Sequence, residues 1–131
     1  MPLFGSISGP CPSLAAADIE TVREIATAMS ARWPVDALVL YGLYGSKARG
    51  DDTPDSDIDL LVLTGRPLST DETSEMRAAV RRIGLGHGTW PELYVRTSEE
   101  WRHGVYQAAP IRKEIDAEGI DVPLHGERAL P

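Results

Sequence analysis

The sequence predicts an α/β fold, with a small mixed sheet of three to four strands and helices packed mainly on one face. The predicted elements follow the order helix, strand, strand, helix, strand, helix, helix, which is typical of a sheet layered with helices. Two short apolar runs, at 36–41 (ending at Gly42) and 57–63, have the composition of buried strands. A length of 131 residues without an internal repeat suits one domain with one small core.

The chain is predicted to begin with a loose leader, residues 1–12, because this segment contains three Pro and two Gly and has no apolar period. The domain is predicted over 13–124, and 125–131 form a tail. With Ser13 as N-cap, an amphipathic helix is expected to run until Pro34 ends it. Its apolar positions are Leu14, Ile19, Val22, Ile25, Ala26, Met29 and Trp33.

A second helix follows the strand at 57–63. Ser69 or Thr70 is the predicted cap, and acidic residues fill the first turn, where they favour the positive end of the helix dipole. We expect this helix to end near Ile83. The glycines that follow, which should break it, are Gly84, Gly86 and Gly88.

The third strand is predicted at 89–96. Pro91 cannot donate a hydrogen bond to a neighbouring strand, so we place it at a sheet edge or at a strand start. A short helix capped by Ser98 and another helix over 109–118 follow, and residues 120–131 supply a short strand and the tail.

Composition excludes several classes of protein. Thirteen Lys and Arg against twenty Asp and Glu give a net charge of −7, which disfavours strong nucleic-acid binding. No apolar run reaches the roughly 20 residues of a membrane span, and no signal peptide is recognisable. The one cysteine, Cys11, allows no internal disulfide and suits a reducing compartment. We therefore expect a cytoplasmic protein without a membrane partner.

The most informative pattern is a Gly-Ser pair followed, ten residues later, by Asp-Ile-Asp at 57–59. Side chains of a strand alternate between its faces, so Asp57 and Asp59 project from one side while Ile58 projects from the other. Two carboxylates held side by side repel each other unless a cation lies between them. Oxygen ligands of this kind suit Mg²⁺. The pattern therefore predicts a divalent metal site.

The Gly-Ser pair predicts a phosphate-binding turn. Gly45 permits close approach of the backbone, and Ser46 offers N–H and hydroxyl donors at the start of a helical turn. Lys47 and Arg49 add local positive charge, with Lys47 expected to be solvated rather than a ligand. A phosphate cradle that faces two carboxylates is typical of metal-dependent phosphoryl or nucleotidyl transfer.

The segment GSKARGDDTPDSDIDLLV resembles the signature of the polymerase-β-like nucleotidyltransferase superfamily, and especially its minimal nucleotidyltransferase (MNT) branch. The close match covers 42–63, and a weaker match extends to about Leu124. In this family a third carboxylate precedes a Thr-x-Glu-Glu helix start, which 97–100 resembles, and this aligns Glu92 with the third position. Glu replaces the usual Asp there, and an ordinary surface glutamate is the alternative reading.

The resemblance implies a polymerase-β-like nucleotidyltransferase fold and a two-metal reaction with ATP as substrate. Asp57, Asp59 and Glu92 would be the catalytic residues and the ligands of two Mg²⁺ ions. The residues that bind the triphosphate would be Gly45, Ser46 and Arg49. Arg49 fits the family's GSxARG pattern, but an exposed ion pair with Asp51 or Asp55 is the alternative.

The same resemblance implies a partner, because the chain is short for an enzyme that must also bind an acceptor. Lone MNT proteins are often paired with a HEPN-type toxin, which they modify by transferring AMP from ATP to a tyrosine. The leading hypothesis is therefore an antitoxin that is a protein adenylyltransferase. The alternatives are a homodimeric enzyme that adenylylates small molecules such as aminoglycosides, and a non-catalytic antitoxin that acts by contact.

Overall fold

The computed structural model describes residues 5–6, 14–34, 36–50, 52–53, 55–103 and 109–122. Five helices and five strands lie within these residues. The helices are α1 (Ala16–Arg32), α2 (Ser46–Arg49), α3 (Thr70–His87), α4 (Ser98–His103) and α5 (Pro110–Glu118). The strands are β1 (Gly5–Ser6), β2 (Leu38–Tyr44), β3 (Ile58–Thr64), β4 (Pro91–Thr97) and β5 (Ile120–Asp121).

The strands form one mixed sheet in the order β1-β5-β2-β3-β4. β2 is antiparallel to both β3 and β5, whereas β3 and β4 are parallel, and so are β1 and β5. The predicted small mixed sheet is confirmed. Five strands are present rather than three or four: β5 is the short strand predicted within 120–131, and β1, of two residues, is the additional strand.

The main core lies between the sheet and the two long helices α1 and α3. Alternate residues of the central strands supply its sheet side, since side chains at every second position share a face. These strand residues, all nearly inaccessible, are Tyr41, Leu43, Ile58, Leu60 and Val62. The helices contribute Val22, Ile25, Met29, Met76 and Val80.

A smaller core covers the opposite face. Leu61 and Leu63 of β3 pack there with Trp101 of α4 and Ile115 of α5. Tyr94 meets Trp101 edge-on, with ring centroids 6.3 Å apart. Helices therefore lie on both faces, with the long helices α1 and α3 on one side and the short helices α4 and α5 on the other. The expectation that helices pack mainly on one face is met by α1 and α3.

The second long helix extends beyond its predicted end. We expected Gly84 to break it, but α3 continues to His87 and ends where Gly88 adopts a left-handed conformation with φ 71°. A Cβ on Gly84 would lie 2.3 Å from Cδ of Pro91. Gly84 is thus a point of close helix–strand packing, and this tertiary contact outweighs the weak helix propensity of glycine.

The predicted capping of the second helix is confirmed, whereas that of the helix after β4 is displaced by one residue. Ser69 and Glu72 form a reciprocal capping box at α3. At α4 the corresponding pair is Thr97 and Glu100, each donating its backbone N–H to the other's side chain. Ser98, the predicted cap, is the first residue of that helix.

The strand predicted to stop before Gly42 continues to Tyr44, because β2 pairs with β3 on one side and β5 on the other. Pro91 begins β4, the last strand of the sheet, as its missing N–H requires. Ser13 and the tail at 125–131 lie outside the described residues, and the domain bounds 13–124 stay a prediction. Of the leader, Gly5–Ser6 pair with β5. No helix in the described ranges is long and apolar enough to cross a membrane.

Candidate active site

Tyr44, Asp59 and Glu92 lie side by side at one end of the sheet, where β2 ends and where β3 and β4 begin. The register pairs Tyr44 with Asp59 and Asp59 with Glu92. Residues paired in register share a face, so all three belong to the side that carries the smaller core. Asp57 lies just before the start of β3 and is exposed, and its charge acts on Asp59. The sequence-predicted Asp59 and Glu92 are therefore brought next to each other by strand pairing.

Gly45 packs directly against this row. Its φ of 80° lies in the region that favours glycine, and a Cβ there would be 2.3 Å from Oδ2 of Asp59. The chain can therefore turn from β2 into α2 only with glycine at this position. Ser46 is the first residue of α2, and the turn closes with the N–H of Gly50 donating to the Ser46 carbonyl at 2.9 Å.

Lys47 is buried, so the expectation that it is solvated was wrong. Its side chain is 3% exposed, and its Nζ lies 2.9 Å from Oδ2 of Asp18 in α1 and 2.9 Å from Oδ2 of Asp52. Burial alone lowers the pKa of Lys47, but the hydrogen bonds to Asp52 and Asp18 outweigh it and raise the pKa. The same hydrogen bond lowers the pKa of Asp52. This network ties α2 to α1 and to the loop that leads into β3.

Arg49 forms ion pairs with α5 that the sequence did not predict, and its role toward phosphate stays a prediction. Its Nη1 lies 2.8 Å from Oε1 of Glu118 and 3.5 Å from Oε2 of Glu114, both on α5. Asp51 is outside the described residues, and no ion pair with Asp55 is present among those described. Arg49 therefore anchors α5 beside the candidate site.

The acidic row carries an excess of negative charge. Burial, followed by the nearby carboxylates of Asp57, Glu92 and Glu114, raises the pKa of Asp59 to about 6, and Arg49 only partly offsets this. Burial, and then the charge of Asp59, raise the pKa of the neighbouring Tyr44 to about 12. Burial and neighbouring carboxylates thus disfavour the ionised form of Asp59, and a bound cation would relieve this repulsion.

The chemistry of the donors fits Mg²⁺, because the groups on this face are carboxylates and hard oxygen ligands suit that ion. Within the described part of the chain, however, no three Asp, Glu, His or Cys side chains come close enough together to hold a metal ion. The metal roles assigned to Asp57, Asp59 and Glu92 thus remain predictions that the shared face and the raised pKa of Asp59 support.

Sequence reasoning missed two parts of this region. Glu114 belongs to α5, and it lies near Asp59 because of a tertiary contact that the local sequence pattern does not predict. The buried network joins Lys47 to residues 29 positions before it and five positions after it. Asp18 lies in the first turn of a helix, where acidic residues are common, so the sequence did not indicate that it binds Lys47.

A small α/β domain with a Gly-Ser turn packed against an acidic strand end is the architecture of a nucleotidyl-transfer domain. The family model for the nucleotidyltransferase domain matches residues 22–108. The chain therefore belongs to the nucleotidyltransferase domain family, which confirms the superfamily resemblance predicted from the sequence.

Solved structures share the fold. A chain in the crystal structure of a toxin–antitoxin with AMP-PNP is 16% identical, with a TM-score of 0.52 over 82% of this chain and 72% of that one. A chain in the structure of a mutant of the toxin–antitoxin MntA–HpeT is 18% identical, with a TM-score of 0.50 over 86% of this chain and 75% of that one. A search of curated proteins found no match.

Proposed function

We propose that this nucleotidyltransferase is an antitoxin that transfers AMP from ATP, in the presence of Mg²⁺, to a tyrosine hydroxyl of a HEPN-type toxin partner. The observation that carries the proposal is the row in which Asp59 pairs with Glu92 in register and Gly45 touches Asp59. Two similar folds come from toxin–antitoxin structures, one of them with AMP-PNP, which retains the adenosine and three phosphate groups of ATP.

In this proposal, each part of the site has one task. The Gly45–Ser46 turn grips the terminal phosphates, since glycine allows the backbone to approach them and serine adds a hydroxyl donor. Asp57 and Asp59 would hold Mg²⁺ against the triphosphate, and Glu92 would hold it on the acceptor side. When bound, Mg²⁺ offsets the charge of the phosphates and lowers the pKa of the acceptor hydroxyl.

The chemistry is a single displacement at the α-phosphorus. The acceptor oxygen forms a bond to that phosphorus, the bond from the α-phosphorus to the bridging oxygen breaks, and pyrophosphate leaves. The proton of the hydroxyl passes to a carboxylate on the acidic face. Glu92 is suited to this acceptor side because it is exposed and lies at the outer strand β4.

The experiment is a transfer assay with Mg²⁺, ATP labelled at the α-phosphate, and the product of the adjacent gene. We expect label on that protein with wild type and with Asp71→Asn, an exposed carboxylate in the first turn of α3 that serves as the matched control. The double variant Asp57→Asn, Asp59→Asn should transfer no label. Equal labelling by the double variant would contradict the assigned roles.

A second candidate, an antitoxin that binds its partner without catalysis, is favoured by two observations. No three metal-binding side chains converge within the described ranges, and Glu replaces the family's Asp at position 92. Thermal unfolding with and without Mg²⁺-ATP separates the two candidates, because a bound ligand stabilises the folded state. A rise in Tm that disappears in the Asp57→Asn, Asp59→Asn variant supports the enzyme. No rise supports the binding protein.

A further inference from the structure

A groove of about 250 Å³ lies between α3 and the beginning of β4. β4 is the last strand of the sheet among those described, so one of its edges is not covered by a neighbouring strand there. The groove is lined on the helix side by Arg77, Arg81 and Leu85, and on the strand side by Trp90 and Glu92. Because Glu92 pairs in register with Asp59, one end of the groove lies at the edge of β4 beside the candidate active site.

The groove carries two exposed apolar side chains. Leu85 is 64% exposed and Trp90 is 53% exposed, and these are two of the three large hydrophobic residues exposed in the described ranges. The backbone of Trp90 is fixed, because its carbonyl accepts a hydrogen bond of 2.9 Å from the N–H of Ile58. An exposed tryptophan on a fixed backbone is typical of an anchor for a protein partner.

The charge of the groove is opposite to that of the protein. The chain carries a net charge of −7, yet Arg77 and Arg81 both line the groove, and neither forms an ion pair with any described residue. Arg77 donates from Nη1 to the carbonyl of Leu93 at 2.9 Å, which holds its guanidinium over the strand edge. Two guanidinium groups that form no ion pair within the described ranges lie beside apolar surface, and together they complement a segment that is both acidic and apolar.

We propose that this groove binds the segment of the partner protein that carries the acceptor tyrosine, and that this segment is extended and flanked by acidic residues. An apolar side chain of the segment packs on Trp90 and Leu85, and its carboxylates pair with Arg77 and Arg81. An extended segment suits the open edge of β4. Glu92 lines the groove at the edge of β4, and its register partner Asp59 lies on the face opposite α3, so a tyrosine of the bound segment would pass around this edge to the acidic row. This inference rests on the proposed function and specifies its substrate.

The test uses two synthetic peptides of equal length, each with one central tyrosine, flanked in one by Asp and Glu and in the other by Lys and Arg. Wild-type protein, Mg²⁺ and α-labelled ATP are expected to label the acidic peptide roughly tenfold faster. Arg81→Glu should abolish or reverse this preference. Arg82→Glu is the matched control, because Arg82 is equally exposed on the same helix but lines a different groove, between α1 and α3. It should leave the preference unchanged.

Trp90→Ala should raise the KM for the acidic peptide while the Tm and its shift with Mg²⁺-ATP stay unchanged. Equal rates with both peptides, or the same loss in Arg81→Glu and Arg82→Glu, would overturn the inference. So would label on the adjacent gene product but on neither peptide. Label on no acceptor at all would instead contradict the proposed function, and this inference with it.

Discussion

Replacement of Lys47 by Met should destabilise the domain strongly, because it removes the cation from a buried network. The Lys47 side chain is 3% exposed, that of Asp18 is 8% exposed and that of Asp52 is 14% exposed. Removing one member of a buried ion pair costs about 3–5 kcal/mol, since the remaining charge is left without a partner. Asp52 keeps some contact with water, so we expect the lower end, about 3 kcal/mol of unfolding free energy.

For a domain of this size that loss corresponds to a fall in Tm of roughly 10 °C. The assay is urea unfolding at neutral pH, followed by tryptophan fluorescence and circular dichroism, without nucleotide. Adding Asp18→Asn and Asp52→Asn to Lys47→Met should recover part of the stability, because no unpaired charge remains buried.

The matched control is Arg32→Met, which breaks the ion pair of 2.7 Å with Glu75, whose two side chains are 45% and 48% exposed. An exposed pair contributes at most about 1 kcal/mol, so this variant should stay close to wild type. If Lys47→Met and Arg32→Met lose the same small amount of stability, the importance assigned to the buried network is refuted.

Three further predictions concern single positions. Gly45→Ala should abolish the rise in Tm with Mg²⁺-ATP and lower the free energy of unfolding by about 1–3 kcal/mol. Gly86→Ala, inside a helix with open space around the added Cβ, should raise the free energy of unfolding by up to about 1 kcal/mol. Thermal unfolding gives the Tm, and urea unfolding gives the two free energies. Asp59→Asn should raise the Tm of the metal-free protein at neutral pH, because it removes one charge from the acidic row; an unchanged or lower Tm would contradict this. Hydrogen bonding, first from Arg66, lowers the pKa of Glu72 to about 2, so its stabilisation is present above pH 4.5 and is lost as the pH falls towards 2. Glu72→Gln should therefore weaken the acid dependence of unfolding in that range, and an identical pH profile would refute the assignment.

The sequence was sufficient to predict most of the fold because the signals involved are local. The apolar runs at 36–41 and 57–63 identified the two central strands, and the cap predicted at Ser69 or Thr70 located the start of α3. Pro91 was correctly placed at the start of an edge strand, since proline lacks the donor that an inner strand needs. The short strand predicted within 120–131 is β5, whereas the two-residue strand β1 was not predicted, because so short a pairing depends on the sheet that receives it.

For the candidate site, the sequence predicted the acidic face but not its surroundings. The resemblance aligned Glu92 with the third carboxylate of the family, and the structure pairs Glu92 with Asp59. The burial of Lys47 was missed because a lysine in a polar loop is usually solvated, and only the packing of α1 brings Asp18 to it. Gly84 was misread for a related reason, since its contact with Pro91 is tertiary and its local signal is that of a helix breaker.

Nucleotidyl transfer is tested most directly by comparing transfer of the α-phosphate of ATP with transfer of its γ-phosphate. Parallel reactions with Mg²⁺ and the adjacent gene product contain ATP labelled at either the α- or the γ-phosphate. We expect the wild-type protein to label the acceptor from α-labelled ATP only. The double variant Asp57→Asn, Asp59→Asn should transfer no label, whereas Asp71→Asn should transfer it as wild type does. Transfer of the γ-label, or no transfer of either while the two proteins form a stable complex, would contradict nucleotidyl transfer by this chain.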